Sequence, residues 1–192
     1  MRSQSASEVL LDASTLCHYA QHGGLQQLRD FLGGRARITR EVERELLRLS
    51  KGPEFAQLAD HLVKDGAIAS TEGKWPKLTK NLADELKDEF TRLLALKRVL
   101  GEHDRAHAGE IATVLIAKHR QSELVIMDDN WGSELARRTY GLKVMSTARL
   151  TLEMVICGRL DEEEGFRVFD SATPRDVGRE RFKAGLENLR RT

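Results

Sequence analysis

Cysteine is scarce in this chain, with two residues, Cys17 and Cys157, among 192. Both lie in helical patterns and form no metal-binding or redox spacing. The sequence therefore indicates neither a cysteine-ligated metal site nor a redox motif. We expect two buried free thiols, as in proteins of a reducing cytosol.

Long apolar runs are also missing. No run approaches the roughly 20 residues that span a bilayer. The first residues, MRSQSASEVLLDAS, contain no apolar core of the length that a signal peptide needs. These two absences predict a cytoplasmic protein that does not interact with a membrane.

An excess of charge of one sign is likewise absent. The chain has 31 Lys and Arg against 30 Asp and Glu, which excludes an overall polybasic protein but not a local basic surface for nucleic acid. There is no internal repeat, and no Gly-x-x-x-x-Gly-Lys-Ser/Thr loop, so nucleotide hydrolysis through a P-loop is excluded. The length and the balanced composition suit one globular domain with a large core.

The most informative stretch is ELVIMDDNWGSELARRTYGLKVMST, residues 123–147. Its apolar run Leu124–Met127 has the β-branched character of a buried parallel strand and ends on Asp128 and Asp129. A helical pattern follows and ends at Gly141. A second short apolar strand completes a β-α-β unit. Ligands in open α/β sheets bind at the carboxyl ends of the strands, where these acids lie.

Strands alternate with helices along the rest of the chain. Further strands are predicted at 8–11, 35–38 and, as an edge strand, 66–70, and helices at 25–32, 40–50 (with Thr39 as N-cap), 53–64, 78–100, 106–120, 150–159, 162–169 and 177–191. This alternation indicates an α/β fold with a mostly parallel sheet.

Acidic side chains collect where the predicted strands end. Asp12 follows the first strand, as Asp128 and Asp129 follow the later one, and Glu45 and Glu110 lie near the starts of two helices. Clustered carboxylates repel each other unless a cation compensates, and Mg²⁺ and Mn²⁺ prefer oxygen ligands. Such ions can polarise a phosphodiester and activate a water molecule. The pattern therefore favours a nuclease site.

Each acid also has a purely structural interpretation. Asp128 or Asp129 could cap the helix that follows, and Glu110 could simply suit the dipole of its helix. His103 and His107 precede Glu110 by seven and three residues, but the chain has no His-Glu-x-x-His motif and no further ligand at a zinc spacing. We expect a solvent-exposed helix start there. Spacing alone leaves the nuclease and the capping interpretations open.

Four blocks of sequence resemble PIN-domain proteins, and within that superfamily they are most similar to the VapC-like toxins and their close relatives. The blocks are LLDASTL at 10–16, REVEREL at 40–46, GEIATVLIAKHR at 109–120 and VIMDDNWGSELARRTYGLKVMST at 125–147. The resemblance implies a PIN-like three-layer α/β/α sandwich with a mostly parallel central sheet and extra helices. It assigns residues 1–160 to a PIN-like domain with a helical insertion at about 51–100, and residues 161–192 to a helical C-terminal tail.

The resemblance also implies a set of site residues. The catalytic acids would be Asp12, Glu45, Glu110 and Asp128. The ligands of Mg²⁺ or Mn²⁺ would be Asp12, Glu110, Asp128 and Asp129, and the supporting hydroxyls Ser14 and Thr147. For the fourth acid, Asp128 and Asp129 compete, and the first residue after the strand is favoured. Ser14 would orient Asp12 or bind a metal-bound water, and Glu110 departs from the Asp more usual at its position.

Two of these assignments have competitors. Glu41 and Glu43 lie within one helical turn of Glu45, so either could take the second acid position. Ser146 competes with Thr147 for the hydroxyl position.

The function that the resemblance implies is that of a metal-dependent endoribonuclease, typically the toxin of a toxin–antitoxin pair that a small antitoxin protein inhibits. In such toxins, helices comparable to the insertion grip the antitoxin and dimerise, so a homodimer is a further expectation. The apolar stripe of Leu82, Leu86, Phe90 and Leu93 could serve this purpose or could simply pack on the chain's own core. Two alternatives remain. One is a non-catalytic PIN-like module that binds RNA or protein, and the other is a DNA-directed or RNA-processing nuclease without an antitoxin.

Overall fold

The computed structural model describes residues 8–49, 69–70, 80–99, 107–173 and 178–191. One sheet contains the five strands β1 (Val9–Leu11), β2 (Ala36–Ile38), β3 (Ala69–Ser70), β4 (Leu124–Ile126) and β5 (Val144–Met145). Its order is β3-β2-β1-β4-β5, and every pairing is parallel. The predicted α/β fold with a parallel sheet is confirmed.

Helices connect and cover these strands. They are α1 (Ala13–Gln21), α2 (Leu25–Leu32), α3 (Arg40–Leu49), α4 (Lys80–Val99), α5 (Ala108–Arg120), α6 (Asn130–Glu134, continued by π-helical turns over Leu135–Thr139), α7 (Thr147–Ile156), α8 (Glu162–Ser171) and α9 (Gly178–Arg190). The helix predicted at 53–64 lies outside the described residues, as does most of the strand predicted at 66–70.

Alternating side chains of the central strands create two apolar faces. Val9 and Leu11 of β1 lie in one core, to which α1, α2, α7 and α8 also contribute. Leu10 points to the opposite face and packs in a second core with Val114 of α5. Because successive strand residues point to opposite sides, the sheet carries helices on both faces. The result is the predicted three-layer sandwich.

The strand order creates a crevice between β1 and β4. From β1 the chain runs to β2 and β3 on one side, and β4 and β5 lie on the other side. Loops that leave β1 and β4 therefore diverge at the carboxyl edge of the sheet, which is where open α/β sheets bind ligands. Asp12 directly follows β1, and Asp128 lies two residues beyond the end of β4.

Side-chain caps determine where two helices begin. The Thr39 hydroxyl accepts a hydrogen bond from the backbone N–H of Val42 at 3.3 Å, which confirms the cap predicted for α3. The Ser146 hydroxyl accepts a backbone N–H at 3.2 Å and starts α7 at Thr147, ahead of the predicted start at Leu150. The prediction followed the apolar stripe, whereas the cap sets the actual start.

The last two helices pack on the body of the domain. Phe169 of α8 and Phe182 of α9 are buried and meet edge to face, with ring centroids 5.3 Å apart. Both belong to the core that α1 and α7 also form. The helices predicted at 162–169 and 177–191 are thus present as α8 and α9, and both pack on the domain.

The structure also tests the expectation of buried cysteines and that of no membrane-spanning segment. Cys17 is half-buried, but Cys157 is exposed, directly after α7, which ends at Ile156 and not at the predicted Arg159. The prediction of a buried thiol is therefore wrong for Cys157. None of the described helices is long and apolar enough to cross a membrane.

Candidate active site

Asp12 lies in the crevice between β1 and β4. It occupies the N-cap position of α1, and only 4% of the residue is exposed. Its backbone N–H donates to the carbonyl oxygen of Ile126 at 3.0 Å, which ties it to β4. The Ser14 hydroxyl donates to Asp12 Oδ2 at 3.0 Å. These two bonds fix both the position and the orientation of the carboxylate.

Asp128 is held by Thr147. The backbone N–H of Thr147 donates to Asp128 Oδ1 at 2.7 Å, and the Thr147 hydroxyl donates to Oδ2. Thr147 is fully buried, whereas Ser146 caps α7. Of the two competing hydroxyls, Thr147 is the one that contacts an acid. On the other side, His18 Nε2 lies 3.9 Å from Asp128 Oδ2.

Asp129 faces different partners from its neighbour. Its Oδ1 accepts a hydrogen bond from the backbone N–H of Gly132 at 2.6 Å, so Asp129 is the N-cap of α6. This bond occupies one carboxylate oxygen and does not exclude a second role. Donor atoms of Asp129, Glu110 and His107 all lie within 4.8 Å of one another.

Glu110 enters the crevice from the first turn of α5. His107 Nδ1 lies 2.9 Å from Glu110 Oε2, within hydrogen-bonding distance. Lys97 of α4, only 2% exposed, supplies an opposing positive charge near Glu110. Lys97 Nζ also lies 4.4 Å from the ring centroid of Trp131. The acid is therefore flanked by one imidazole and one buried ammonium group.

Glu45 reaches the site because Gly109 has no side chain. A Cβ atom at Gly109 would lie 2.8 Å from Glu45 Oε2 and 3.2 Å from Cγ2 of Val42. The absence of this atom lets α3 approach α5 and brings the Glu45 carboxylate near Asp12. Glu41, one of the competitors for this position, instead pairs with an arginine of its own helix at 3.9 Å.

Burial and mutual repulsion raise the pKa values of three acids. Burial, with a smaller contribution from the two neighbouring aspartates, raises the pKa of Asp12 to about 6. Burial and then Asp12 raise the pKa of Glu45 to about 7. Burial, followed by repulsion from Asp129 and Asp12, raises the pKa of Glu110 to about 9 despite the nearby lysine. Burial and repulsion thus disfavour the ionised form of these acids, and a bound cation would offset that cost.

The donor set fits a divalent metal ion. Donor atoms of Glu110 and Asp129 lie within 4.8 Å of each other. Asp12, from a third segment, is close enough to raise the pKa of Glu110, and burial together with repulsion disfavours the ionised form of both acids. Oxygen donors of this kind suit Mg²⁺ and Mn²⁺. Burial distinguishes these groups from surface acids, which repel each other less in water.

The match to a known family is decisive for the identity of this fold. The family model DUF3368, described as a PIN domain, matches residues 8–166, which include all five strands and every candidate acid. The chain belongs to the PIN-domain family. No curated protein sequence matches the chain. PIN domains are typically metal-dependent nucleases, so family membership supports a nuclease-type function.

Two residues of this PIN domain's site escaped prediction. Lys97 lies four residues after Leu93, on the face of α4 that packs against α5. A lysine on the apolar face of a helix was the sequence signal that could have identified it as a site residue. The predicted solvent-exposed helix start is wrong for His107, whose side chain is 16% exposed and contacts Glu110. His103 lies outside the described residues.

We expect the metal-free PIN domain to lose stability as the pH rises from about 5 to 9. The folded-state pKa values of Asp12, Glu45 and Glu110 lie above the ordinary values of 3.8 and 4.5, so the folded state binds more protons than the unfolded state in this interval. Stability then falls as these protons are lost. Each kcal/mol lost from the free energy of unfolding lowers Tm by about 2–4 °C. Thermal unfolding in EDTA across this pH range measures the slope.

Glu110→Gln provides the control for this pH dependence. The amide stays neutral at every pH, so the decline of Tm should be shallower than in the wild type above about pH 7. A metal-free Tm that rises through this interval in the wild type would contradict the raised pKa values.

Gly109→Ala is expected to lower nuclease activity roughly tenfold to a hundredfold, with a smaller effect on folding. The new methyl group would displace the Glu45 carboxylate, which is the flexible end of a side chain, and would press on Val42. Cleavage rates of Gly109→Ala, Glu45→Gln and the double variant measure the effect. If both substitutions act through the Glu45 carboxylate, the double variant should cleave no more slowly than Glu45→Gln. Additive losses of activity would show that Gly109→Ala acts in another way.

Proposed function

We propose that this PIN domain is a Mg²⁺- or Mn²⁺-dependent endoribonuclease that hydrolyses RNA phosphodiesters. The observation that carries the proposal is a crevice of a parallel sheet in which Glu110 and Asp129 offer donor atoms within 4.8 Å of each other and Asp12 lies close enough to repel both. Apolar side chains in these positions would stabilise the fold better than buried acids that repel each other. The presence of the acids therefore favours a functional role.

The residues of the crevice have different proposed roles. A bound divalent ion would supply positive charge that polarises the phosphodiester and lowers the pKa of water. Asp12, Glu110 and Asp129 would hold it, while Ser14 keeps the Asp12 carboxylate in place. Among the two competing aspartates, Asp129 has an oxygen near Glu110, and for this reason we propose it as the ligand. Asp128, bonded to Thr147, would position the end of β4.

Glu45 is suited to accept a proton from the attacking water. In the metal-free site, burial and the nearby Asp12 raise its pKa to about 7, close to the value at which a general base works best near neutral pH. The water oxygen bonds to phosphorus in line with the 3′ oxygen, the bond from phosphorus to that oxygen breaks, and the 3′ oxygen takes up a proton. The products are a 3′-hydroxyl on one fragment and a 5′-phosphate on the other.

Cleavage assays with defined products test this function. Labelled single-stranded RNA, structured RNA, single-stranded DNA and duplex DNA are incubated with the protein in Mg²⁺, in Mn²⁺ and in EDTA. We expect cleavage of RNA within the chain, only with metal, to 5′-phosphate and 3′-hydroxyl ends. Cyclic phosphate ends or activity in EDTA would contradict the proposed chemistry. Folded protein that binds RNA without cutting it would indicate the non-catalytic module.

We further propose that the protein is the toxin of a toxin–antitoxin pair in the cytoplasm. The four sequence blocks that resemble VapC-like toxins support this role. A small antitoxin protein would then cover the acids of the crevice. Homodimer formation stays a prediction, as does the boundary between the domain and the tail at residue 160. Induced expression should arrest growth of a host, and Asp12→Asn should not. Equal growth of both strains at equal protein levels would contradict the toxin role.

A further inference from the structure

We propose that His107 is a direct metal ligand, which makes this an oxygen–nitrogen site that favours Mn²⁺ over Mg²⁺. The inference rests on the proposed metal-dependent function and specifies which ion the site selects. It concerns a histidine in addition to the acids that the resemblance implies.

The distance between the imidazole and Glu110 fits two neighbouring ligands of one ion. His107 Nδ1 and Glu110 Oε2 lie 2.9 Å apart. Two atoms in adjacent positions around an octahedral ion, each bonded at about 2.1 Å, lie about 3 Å apart. A carboxylate oxygen of Asp129 completes the group, in which all three donor atoms are within 4.8 Å of each other.

The backbone holds this histidine in position. His107 is the N-cap of α5, and its carbonyl oxygen accepts a hydrogen bond from the backbone N–H of Ile111 at 3.1 Å. His107 and Glu110 are three residues apart at the start of the helix, so their side chains share one face. Both side chains are mostly buried, at 16% and 12% exposure. The imidazole therefore does not depend on a flexible loop to reach the acids.

Ligand chemistry then discriminates between the two ions. Imidazole binds first-row transition-metal ions, most readily Zn²⁺, Cu²⁺, Fe²⁺ and Ni²⁺, whereas Mg²⁺ demands oxygen ligands and keeps several of its waters. One nitrogen ligand beside the carboxylates would still admit Mn²⁺, which accepts both donor types. A site built from carboxylates alone would lack this preference for Mn²⁺ over Mg²⁺.

The competing role for His107 is that of a positioning residue. In that role it would only hydrogen-bond to Glu110 and would never touch the ion. Both roles lower cleavage when His107 is removed, so activity cannot separate them. The magnetic coupling between a bound Mn²⁺ ion and the imidazole nitrogen can, because it requires direct ligation.

The experiment is pulsed electron paramagnetic resonance on the full chain loaded with one equivalent of Mn²⁺. We expect nitrogen modulation in the wild type that disappears in His107→Ala. The modulation should persist in His119→Ala, which removes a histidine near the other end of α5, and in His18→Ala, which removes the imidazole near Asp128. Calorimetry should show Mn²⁺ affinity reduced about tenfold or more in His107→Ala. His107→Asp should improve Mg²⁺ binding relative to His107→Ala and abolish the nitrogen signal.

The outcomes separate this inference from the proposed function. Tight Mn²⁺ binding without nitrogen modulation, or a signal lost in His18→Ala and kept in His107→Ala, would overturn the inference and leave the metal-dependent nuclease intact. Folded protein that binds neither Mn²⁺ nor Mg²⁺ would overturn both. Modulation that depends on His107, with Mn²⁺ bound more tightly than Mg²⁺, supports the inference.

Discussion

We expect Asp12→Asn to lower the rate of RNA cleavage by about 10³-fold or more, in protein that is at least as stable as the wild type without metal. The amide has the shape of the carboxyl group and can still accept the bond from Ser14. It removes a buried charge that Asp128 and Asp129 repel, so the metal-free Tm is equal or higher. Cleavage rates and thermal unfolding, each with and without Mn²⁺, measure both effects.

Asp30→Asn is the matched control for this substitution. Asp30 lies exposed on α2, where its carboxylate accepts a bond from Gln26. The same chemical change there should leave cleavage and the metal-induced rise in Tm unchanged. An Asp12→Asn protein that cleaves RNA as well as the Asp30→Asn protein would exclude Asp12 from the site.

The two neighbouring aspartates should separate in their effects on metal binding and stability. Asn caps a helix as well as Asp does, so Asp129→Asn should keep the metal-free Tm while losing cleavage and the metal-induced rise in Tm. Asp128→Asn should be destabilised by about 1–3 kcal/mol, because an amide cannot accept both bonds that Thr147 donates. Part of its metal-induced rise in Tm should remain.

Thr147→Val tests the structural half of this contrast. The valine removes the hydroxyl that donates to Asp128, so the double variant Asp128→Asn/Thr147→Val should be less destabilised than the sum of the two single variants. The reverse result would assign the metal to the other aspartate. If Asp128→Asn loses the metal response at an unchanged metal-free Tm while Asp129→Asn keeps it, Asp128 is the ligand, as its place after the strand favours.

The fold was predictable because its signals are local in the sequence. The apolar run before Asp128 and the one before Asp12 have the character of buried parallel strands, and α3 begins with the cap that Thr39 provides. The start of α7 was not placed correctly, because periodicity shows where a helix packs and not where its cap lies. The π-helical turns at Leu135–Thr139 have no simple sequence signal, since they differ from an α-helix only in hydrogen-bond spacing.

The candidate site was predictable only in part, for a physical reason. Acids that follow strands could be listed from the sequence, but which of two neighbours faces Glu110 depends on the direction in which each side chain leaves the backbone. Lys97 comes from a helix outside the four blocks of resemblance, and its proximity to Glu110 is a tertiary contact. His107 differs from any exposed histidine only through the packing of its helix start.

Recovery of cleavage in metal-stripped protein tests the central claim most directly. Protein treated with EDTA and freed of the chelator is titrated with Mn²⁺, while the RNA cleavage rate and Mn²⁺ binding are followed in parallel. We expect no cleavage without metal, and a rise in the rate with the same midpoint as binding to a site that Asp12→Asn weakens. Cleavage that persists in the stripped protein, or that recovers equally in Asp12→Asn, would contradict a metal-dependent site built on these acids.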